Sequence, residues 1–487
     1  MGIVLNQTLK NTVVTYIGFA IGAVSTLFLY TNFLSDEYYG LVAYLLSAAN
    51  VLMPILAFGV QNTLIKFYTS YKDTEAQNTF TGFMFVLPLA IIIPVGIIGV
   101  FSYKWIVAYL SETNTILAPY VWTIYVLAFS MAYFEVFFAW AKVHMKSVYG
   151  NFLKEVYHRI MVVVLLLLVH FDVLSTSNFI YALMGVYFSR TILMLISAYF
   201  IKKPKFTLGL PENYKSVLKY SFLIILTGSI AAVLLDIDKV MLGQFESIEN
   251  IAYYNVAVFI AIVIAVPARA MHQITYPITS KLLNTKNFKE LDSLYKKSSI
   301  NLFIVGGFIF LLILLNINEL YKLLPSQYSG GVTVVFFISL AKLFDNLIGN
   351  NNAIIFNSDY YRMVLFFGVL LAILTVLLNI IFIPIWGING ASFATFLAFT
   401  SYNLIKLYFV KKKLHLQPFT FKTFQTSLLL IVLLFAFYYW DFSFHPIVNI
   451  ILKSVIVGVV FVFAVYKLKL SEDLNLLFNK VFSIKNP

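Results

Sequence analysis

Five charged side chains inside long apolar stretches have the clearest potential for chemistry. Three are basic, Arg190, Arg269 and Lys342, and two are acidic, Glu135 and Asp345. A charge in hydrocarbon costs about 2.5–3.5 kcal/mol on insertion scales, so such a residue usually has a function. Fixed cations can replace the water around an anionic group, and arginine can bind oxyanions through two parallel hydrogen bonds. The three basic residues are therefore predicted to bind an anion.

Internal pairing is the structural alternative for these charges. Lys342 and Asp345 are three residues apart and would share one face of a helix, so they could pair with each other. Arg190 could pair with an acid such as Glu135. A buried carboxyl group can also exchange a proton or bind Na⁺, which makes Glu135 and Asp345 candidates for ion coupling.

Four other charged residues lie near the ends of apolar stretches. Lys219 and Lys406 are expected to extend toward the polar boundary, with their methylene groups covered. Asp236 and Asp238 could also take part in ion coupling, but a hydrated turn is the simpler interpretation of their position.

The sequence lacks the motifs of covalent, metal and nucleotide chemistry. It contains no cysteine, and its six histidines are scattered without a ligand spacing. Walker A, HExxH and GxSxG motifs are absent, and most connections are too short to form a catalytic domain. We therefore expect a protein that is not an enzyme, holds no cofactor or metal, and does not hydrolyse ATP itself.

The composition indicates that lipid surrounds most of the chain. Of the 487 residues, 61% are hydrophobic and only 11% are charged, against about 25% charged in soluble domains. A membrane helix needs roughly 20 mostly apolar residues. Fourteen stretches meet this requirement, near 12–33, 40–60, 80–101, 118–139, 150–170, 178–200, 217–235, 251–277, 299–317, 330–350, 362–384, 387–409, 424–440 and 446–466.

The loops between these stretches alternate in charge. Alternate loops are rich in lysine, including Lys202 and Lys203 and the run 411–413, whereas the others contain acids such as Asp36 and Glu112. Lysine and arginine mark the cytoplasmic side, so both termini are predicted to be cytoplasmic. The net charge of +13 is then a topology signal, and no nucleic-acid partner is expected.

A repeat divides the predicted spans. YFIKK (199–203) closes the sixth span and YFVKK (408–412) closes the twelfth, while FLSDEYYGLVAY (33–44) and FESIENIAYYNV (245–256) precede the second and eighth. Six is an even number, so the two halves would insert in the same orientation, as parallel repeats. The predicted domains are a six-helix lobe at 1–205, a second at 206–415, and two more helices with a cytoplasmic tail at 416–487.

This layout resembles the multidrug/oligosaccharidyl-lipid/polysaccharide (MOP) exporter superfamily. FLSDEYYG (33–40), LLDIDKVMLGQF (234–245), AYYNVA (252–257) and IPIWGINGASFAT (383–395) look most similar to its polysaccharide branch, the Wzx-type O-antigen flippases. The resemblance covers nearly the whole chain. It implies an all-α, V-shaped membrane protein of two helical lobes.

The resemblance also implies a function. A Wzx-type flippase moves an undecaprenyl-pyrophosphate-linked oligosaccharide across the bacterial inner membrane by alternating access, and a glycan polymerase is a possible partner. Arg190, Arg269 and Lys342 would then attract the pyrophosphate, and Glu135 or Asp345 would couple transport to H⁺ or Na⁺. A drug antiporter of the same superfamily and a lipid II flippase are the alternatives, and the oligomeric state is left open.

Overall fold

The regular structure of the chain is helical. The computed structural model describes residues 2–204, 207, 209–228, 230–360 and 362–483, and no β-strand occurs among them. The all-helical class is confirmed. The chain packs as two compact units, Met1–Asn255 and Val256–Pro487. The three predicted domains stay a prediction, because their first boundary, at residues 205–206, lies outside the described residues.

Twelve described helices lie wholly in the first unit, and a thirteenth includes its last residues. They are α1 (Gly2–Val24), α2 (Tyr30–Phe33), α3 (Asp36–Ala57), α4 (Val60–Phe67), α5 (Thr74–Phe101), α6 (Tyr103–Leu110), α7 (Val121–Val143), α8 (Val148–Phe152), α9 (His158–His170), α10 (Thr176–Ile201), α11 (Tyr214–Gly228), α12 (Ile230–Phe245) and α13 (Ile248–Ala261).

The second unit continues with the helices α14 (Val266–Asn284), α15 (Phe288–Tyr321), α16 (Val332–Leu347), α17 (Asn351–Asn357), α18 (Arg362–Leu414), α19 (Phe421–Tyr438), α20 (Pro446–Lys467) and α21 (Glu472–Ser483). Short helical segments of other kinds are the π turns Ser25–Leu29 and Leu153–Tyr157 and the 3₁₀ turns Tyr68–Ser70, Thr115–Tyr120, Ile262–Ala265 and Ser326–Gly331.

Eleven helical segments in the described part of the chain are long and apolar enough to cross a membrane. They confirm a multi-pass membrane protein, whereas the count of fourteen spans and the cytoplasmic termini stay predictions. The difference in number has identifiable causes. The fifth predicted span carries three charged residues, Lys154, Glu155 and Arg159, and the seventh includes residue 229, which lies outside the described residues. The eleventh and twelfth are joined in α18.

Local sequence signals explain where these helices begin and turn. Ser35 caps α3 by accepting a hydrogen bond from the Tyr38 N–H at 3.4 Å, and acidic residues occupy the first turn. Within α18, Gly387 adopts φ 56° and ψ −130°, a conformation that glycine reaches without a steric penalty. Gly390 lies so close to the Phe382 carbonyl that a side chain would collide with it. A tight turn therefore follows Pro384.

The core of the first unit forms around α7. Its aromatic residues Phe134, Phe138 and Trp140 are buried, and α7 packs against α3, α4 and α10. This packing places the polar residues of α7 beside α10, the helix that carries Arg190.

We predict that Gly40 tolerates no side chain. Gly40 of α3 lies directly against the carbonyl of Ile248, so Gly40→Leu would force these backbones apart. Overpacking of this kind costs about 1–3 kcal/mol, and the thermal unfolding midpoint in detergent should fall. Gly99→Leu is the matched control, because a Cβ at Gly99 of α5 would meet nothing within 4 Å. Equal midpoints for the two variants would contradict the packing.

Candidate functional site

Arg190 is a buried cation with unused hydrogen-bonding capacity. It lies within α10 with 7% of its surface exposed, and its guanidinium carbon is 4.3 Å from the centre of the Phe134 ring and 4.7 Å from that of Tyr187. These cation–π contacts orient the guanidinium but satisfy none of its N–H donors. Among the described residues no hydrogen-bond or ion-pair partner of Arg190 is found, and its buried Nε is unsatisfied.

Glu135 does not neutralise Arg190. Its Oε1 is 2.5 Å from Nζ of Lys154, so Glu135 pairs with that lysine. Lys154 lies in the π turn Leu153–Tyr157, which interrupts the helix between α8 and α9. Single π turns often occur at functional sites. The Arg190–Glu135 pair that the sequence allowed is not formed.

A group of charged residues surrounds Arg190, and we call it the basic cluster. Each member lies within electrostatic range of at least one other, and the members are Glu135, Lys142, Lys154, Glu155, His158, Arg159 and Arg190. The cluster holds two more lysine and arginine residues than carboxylates. The Lys154 side chain is 42% exposed and that of Glu135 13% exposed, so the cluster is accessible at one side and closed at Arg190.

Two glycines of α1 make room for the basic cluster. Gly18 lies against the Glu155 backbone, and a Cβ on Gly22 would lie 3.2 Å from Nε of Arg159. Arg159 in turn is 3.6 Å from the Glu155 carboxylate. The GxxxG spacing of α1 therefore serves close helix packing beside the charged residues, as small residues do in membrane helices.

The other predicted anion-binding residues lie in the second unit. Nζ of Lys342, on α16, is 4.3 Å from the centre of the Phe399 ring. Arg269, on α14, is exposed. Asp345, also on α16, accepts a hydrogen bond from the Asn403 amide at 3.4 Å. The proposed ion-coupling residues are thus divided between the units, with Glu135 in the first and Asp345 in the second.

The expectation that Lys406 extends toward the polar boundary is wrong. Lys406 is 1% exposed and donates a hydrogen bond from Nζ to Oδ1 of Asn352 at 2.8 Å. The ring centre of Tyr402 is 4.0 Å from the same Nζ. Because α17 packs against α18 and supplies an amide acceptor, the ammonium is satisfied inside the unit. Asp345, His272 and Lys406 are within electrostatic range and form a second polar group.

Asp236 and Asp238 do not lie on a hydrated turn, because both are in α12. Asp238 is fully buried and accepts a hydrogen bond from the Tyr254 hydroxyl at 2.7 Å. Asp236 Oδ1 accepts from the Ser47 hydroxyl at 2.9 Å and is 3.1 Å from Nζ of Lys239. The hydrated-turn interpretation failed because the neighbouring helices supply donors to both carboxylates.

Lys239 links Asp236 to further polar residues, and we call Tyr39, Ser47, Asp236, Lys239 and Asn255 together the Asp236 network. Its Nζ also donates to Oδ1 of Asn255 at 3.1 Å, and the Asn255 amide donates to the Tyr39 hydroxyl at 3.1 Å. The network therefore joins α3, α12 and α13 within the first unit. Sequence reasoning missed Lys239, although the spacing Asp-x-x-Lys at 236–239 predicts an ion pair on one helix face.

The two segments that match in the sequence repeat contact each other here. The Tyr253 hydroxyl donates to Asp36 Oδ2 at 3.0 Å, and Gly40 lies against the Ile248 carbonyl. These contacts between segments 33–44 and 245–256 lie within the first unit, an arrangement that the repeat pattern did not predict.

Comparisons with known proteins give a family model and several solved structures. The model described as "Polysaccharide biosynthesis protein" matches residues 4–283. The chain is similar to the lipid II flippase MurJ in an inward closed conformation, with a TM-score of 0.76 and 16% identity over 95% of this chain and 99% of that chain. No curated protein matches the chain.

Transporters of the MATE family share the fold at a greater distance. An inward-facing MATE transporter of the MOP superfamily gives a TM-score of 0.64 with 13% identity over 83% of this chain and 98% of that one. A mutant of the MATE transporter VcmN of Vibrio cholerae gives 0.56 with 11% identity, covering 85% of this chain and 98% of that one.

We predict that Asp236 and Lys239 are strongly coupled. Their side chains are 17% and 12% exposed, so Asp236→Asn or Lys239→Met would leave one buried charge without its partner. Removing one member of a buried pair costs about 3–5 kcal/mol. The free energy of unfolding lost in the double variant should be smaller than the sum of the two single losses, by about 0.5–3 kcal/mol.

Unfolding in mild detergent would measure these losses. Lys296→Met is the matched control, because the Lys296–Asp292 pair at 2.5 Å is 36% and 31% exposed and such pairs contribute about 0–1 kcal/mol. Additive losses at positions 236 and 239 would show that the network does not couple them.

Proposed function

The chain belongs to the polysaccharide biosynthesis protein family, and from this membership we propose that it is a flippase for an undecaprenyl-pyrophosphate-linked oligosaccharide. Family and fold together confirm the predicted MOP exporter superfamily and a transporter rather than an enzyme. The proposed cargo is the repeat unit of O-antigen, capsule or a similar polysaccharide. It would cross the bacterial inner membrane by alternating access.

The unpaired guanidinium of Arg190 is the observation that carries this proposal. A pyrophosphate loses much of its hydration when it enters an apolar protein, and this loss must be offset by fixed donors and positive charge. The basic cluster supplies an excess of cations, and Arg190 supplies free N–H donors held in place by Phe134 and Tyr187. The fork of a guanidinium fits two phosphate oxygens at once.

The other predicted residues take supporting roles in this proposal. Arg269 and Lys342 add positive charge for the pyrophosphate in the second unit. Asp345, bonded to the neutral Asn403 amide, is the better candidate for binding or releasing H⁺ or Na⁺, because Glu135 is already paired with Lys154. A glycan polymerase would receive the translocated repeat unit.

A lipid II flippase is the second candidate. It is favoured by the similarity of nearly the whole chain to the lipid II flippase MurJ, although an identity of 16% supports the fold alone. Both candidates require a pyrophosphate site, so the glycan distinguishes them. A cationic-drug antiporter is disfavoured, because the basic cluster would repel such a substrate.

We predict that Arg190→Met abolishes most glycan export without unfolding the protein. The substitution removes the charge and the unsatisfied Nε while keeping a long apolar side chain, so the unfolding midpoint should be unchanged or higher. A hydrogen bond to a charged group contributes about 1.5–3 kcal/mol, so export should fall roughly tenfold or more. Arg190→Lys should keep part of the activity, because it keeps the charge but loses the planar fork.

Export would be measured in a strain lacking the native gene, at matched protein levels. Lys281→Gln is the control, because it removes an exposed charge outside the cluster. Wild-type export by folded Arg190→Met would exclude Arg190 from the site. Lipid-linked repeat units that accumulate on the cytoplasmic leaflet support the glycan flippase, whereas accumulated lipid II supports the second candidate.

A further inference from the structure

An open groove of about 470 Å³ lies on the surface of the first unit, apart from the basic cluster. It is lined by Lys146, Tyr149, Leu193, Ile196, Ser197, Phe200 and Ile201. Its volume lies within the range of about 300–1,000 Å³ typical of small-molecule sites. Its polar lining groups are the Lys146 ammonium and the hydroxyls of Tyr149 and Ser197, and its other lining residues are apolar.

The groove lies where two candidate membrane spans end. The spans Thr115–Val143 and Thr176–Ile201 finish beside it, and Lys146 follows the first of them by three residues. From Ile201 back to Leu193, α10 rises about 12 Å at 1.5 Å per residue. That distance is comparable to one leaflet of a hydrocarbon core about 30 Å thick. The end of the groove at Lys146 and Ile201 is therefore at headgroup level, and its wall runs from there to Leu193 at acyl-chain level.

The backbone of Lys146 is held in place by the end of α7. Its N–H donates to the Ala141 carbonyl at 2.9 Å, and the Met145 N–H donates to the Lys142 carbonyl at 2.9 Å. Met145 adopts φ 56°, so this turn is a Schellman motif. The Lys146 ammonium has no carboxylate partner among the described residues. An exposed lysine on a fixed backbone, with no carboxylate partner, thus lines a mostly apolar groove.

The same membrane boundary carries further basic and aromatic side chains. Lys203 is exposed, with its Nζ 5.6 Å from the centre of the Tyr199 ring. Phe200 is 81% exposed and Ile196 is 46% exposed, so the apolar wall is free to contact an acyl chain. Basic pockets of this kind at the ends of membrane helices bind anionic lipid headgroups.

We propose that this groove binds an anionic glycerophospholipid, with its phosphate at Lys146 and an acyl chain along Leu193, Ile196 and Phe200. The charge complementarity of Lys146 selects an anionic headgroup, and the continuity of the apolar wall with the membrane-facing surface of α10 selects a lipid rather than free phosphate. This site is independent of the substrate site around Arg190.

Native mass spectrometry of the purified full chain would test the site with two lipids that carry the same acyl chains, phosphatidylglycerol and phosphatidylcholine. The wild type should retain phosphatidylglycerol about fivefold better, the effect of one lysine near an anionic surface. Lys146→Gln should remove this preference, whereas Lys281→Gln, which removes an exposed charge that does not line the groove, should keep it. Inorganic phosphate at the same concentration should not displace the lipid.

Filling the groove provides a second variant that leaves every charge in place. Ile196→Trp should lower retention of both lipids, whereas Ile192→Trp, at an exposed α10 position that does not line the groove, should retain both. Equal retention of the two lipids by the wild type would overturn the proposal. So would a Lys146→Gln variant that behaves like Lys281→Gln, or an Ile196→Trp variant that behaves like Ile192→Trp.

Discussion

The burial of Arg190 without a carboxylate partner is the constraint on which the candidate site depends. Moving a charged group out of water has an effective cost of several kcal/mol even after the protein relaxes, and the pairing of opposite charges usually offsets part of it. Here cation–π contacts offset part of this cost instead, because the ring centres of Phe134 and Tyr187 lie 4.3 and 4.7 Å from the guanidinium carbon. An aromatic enclosure orients the guanidinium and leaves its N–H donors available, which suits an anion that must be bound and then released.

Consecutive residues of α7 keep this arrangement intact. Phe134 contacts Arg190, while Glu135 is satisfied by Lys154 from the π turn between α8 and α9. Without Lys154, Glu135 would be an unpaired acid within electrostatic range of Arg190. The lysine therefore has two consequences, because it satisfies a largely buried carboxylate and preserves the positive potential of the basic cluster. In the second unit neutral amides bond to the charged side chains instead, Asn352 to the buried Lys406 and Asn403 to the half-buried Asp345.

Apolar length and local turn chemistry made much of the fold predictable. The helical membrane class and the turn at Gly387 both follow from residues close together in the sequence. The π turn at Leu153–Tyr157 was harder to predict, because it leaves the hydropathy almost unchanged. The hydrogen-bond partners of charged residues were harder still to predict, since the bonds Lys406–Asn352 and Asp236–Ser47 join residues far apart in the chain.

Binding of undecaprenyl pyrophosphate and of uncharged undecaprenol to purified wild-type protein and Arg190→Met tests the central claim most directly. An anion-binding role of Arg190 predicts that the wild type prefers the pyrophosphate, and that the variant loses this preference while still binding undecaprenol equally well. A folded Arg190→Met protein with an unchanged preference for the pyrophosphate would contradict it.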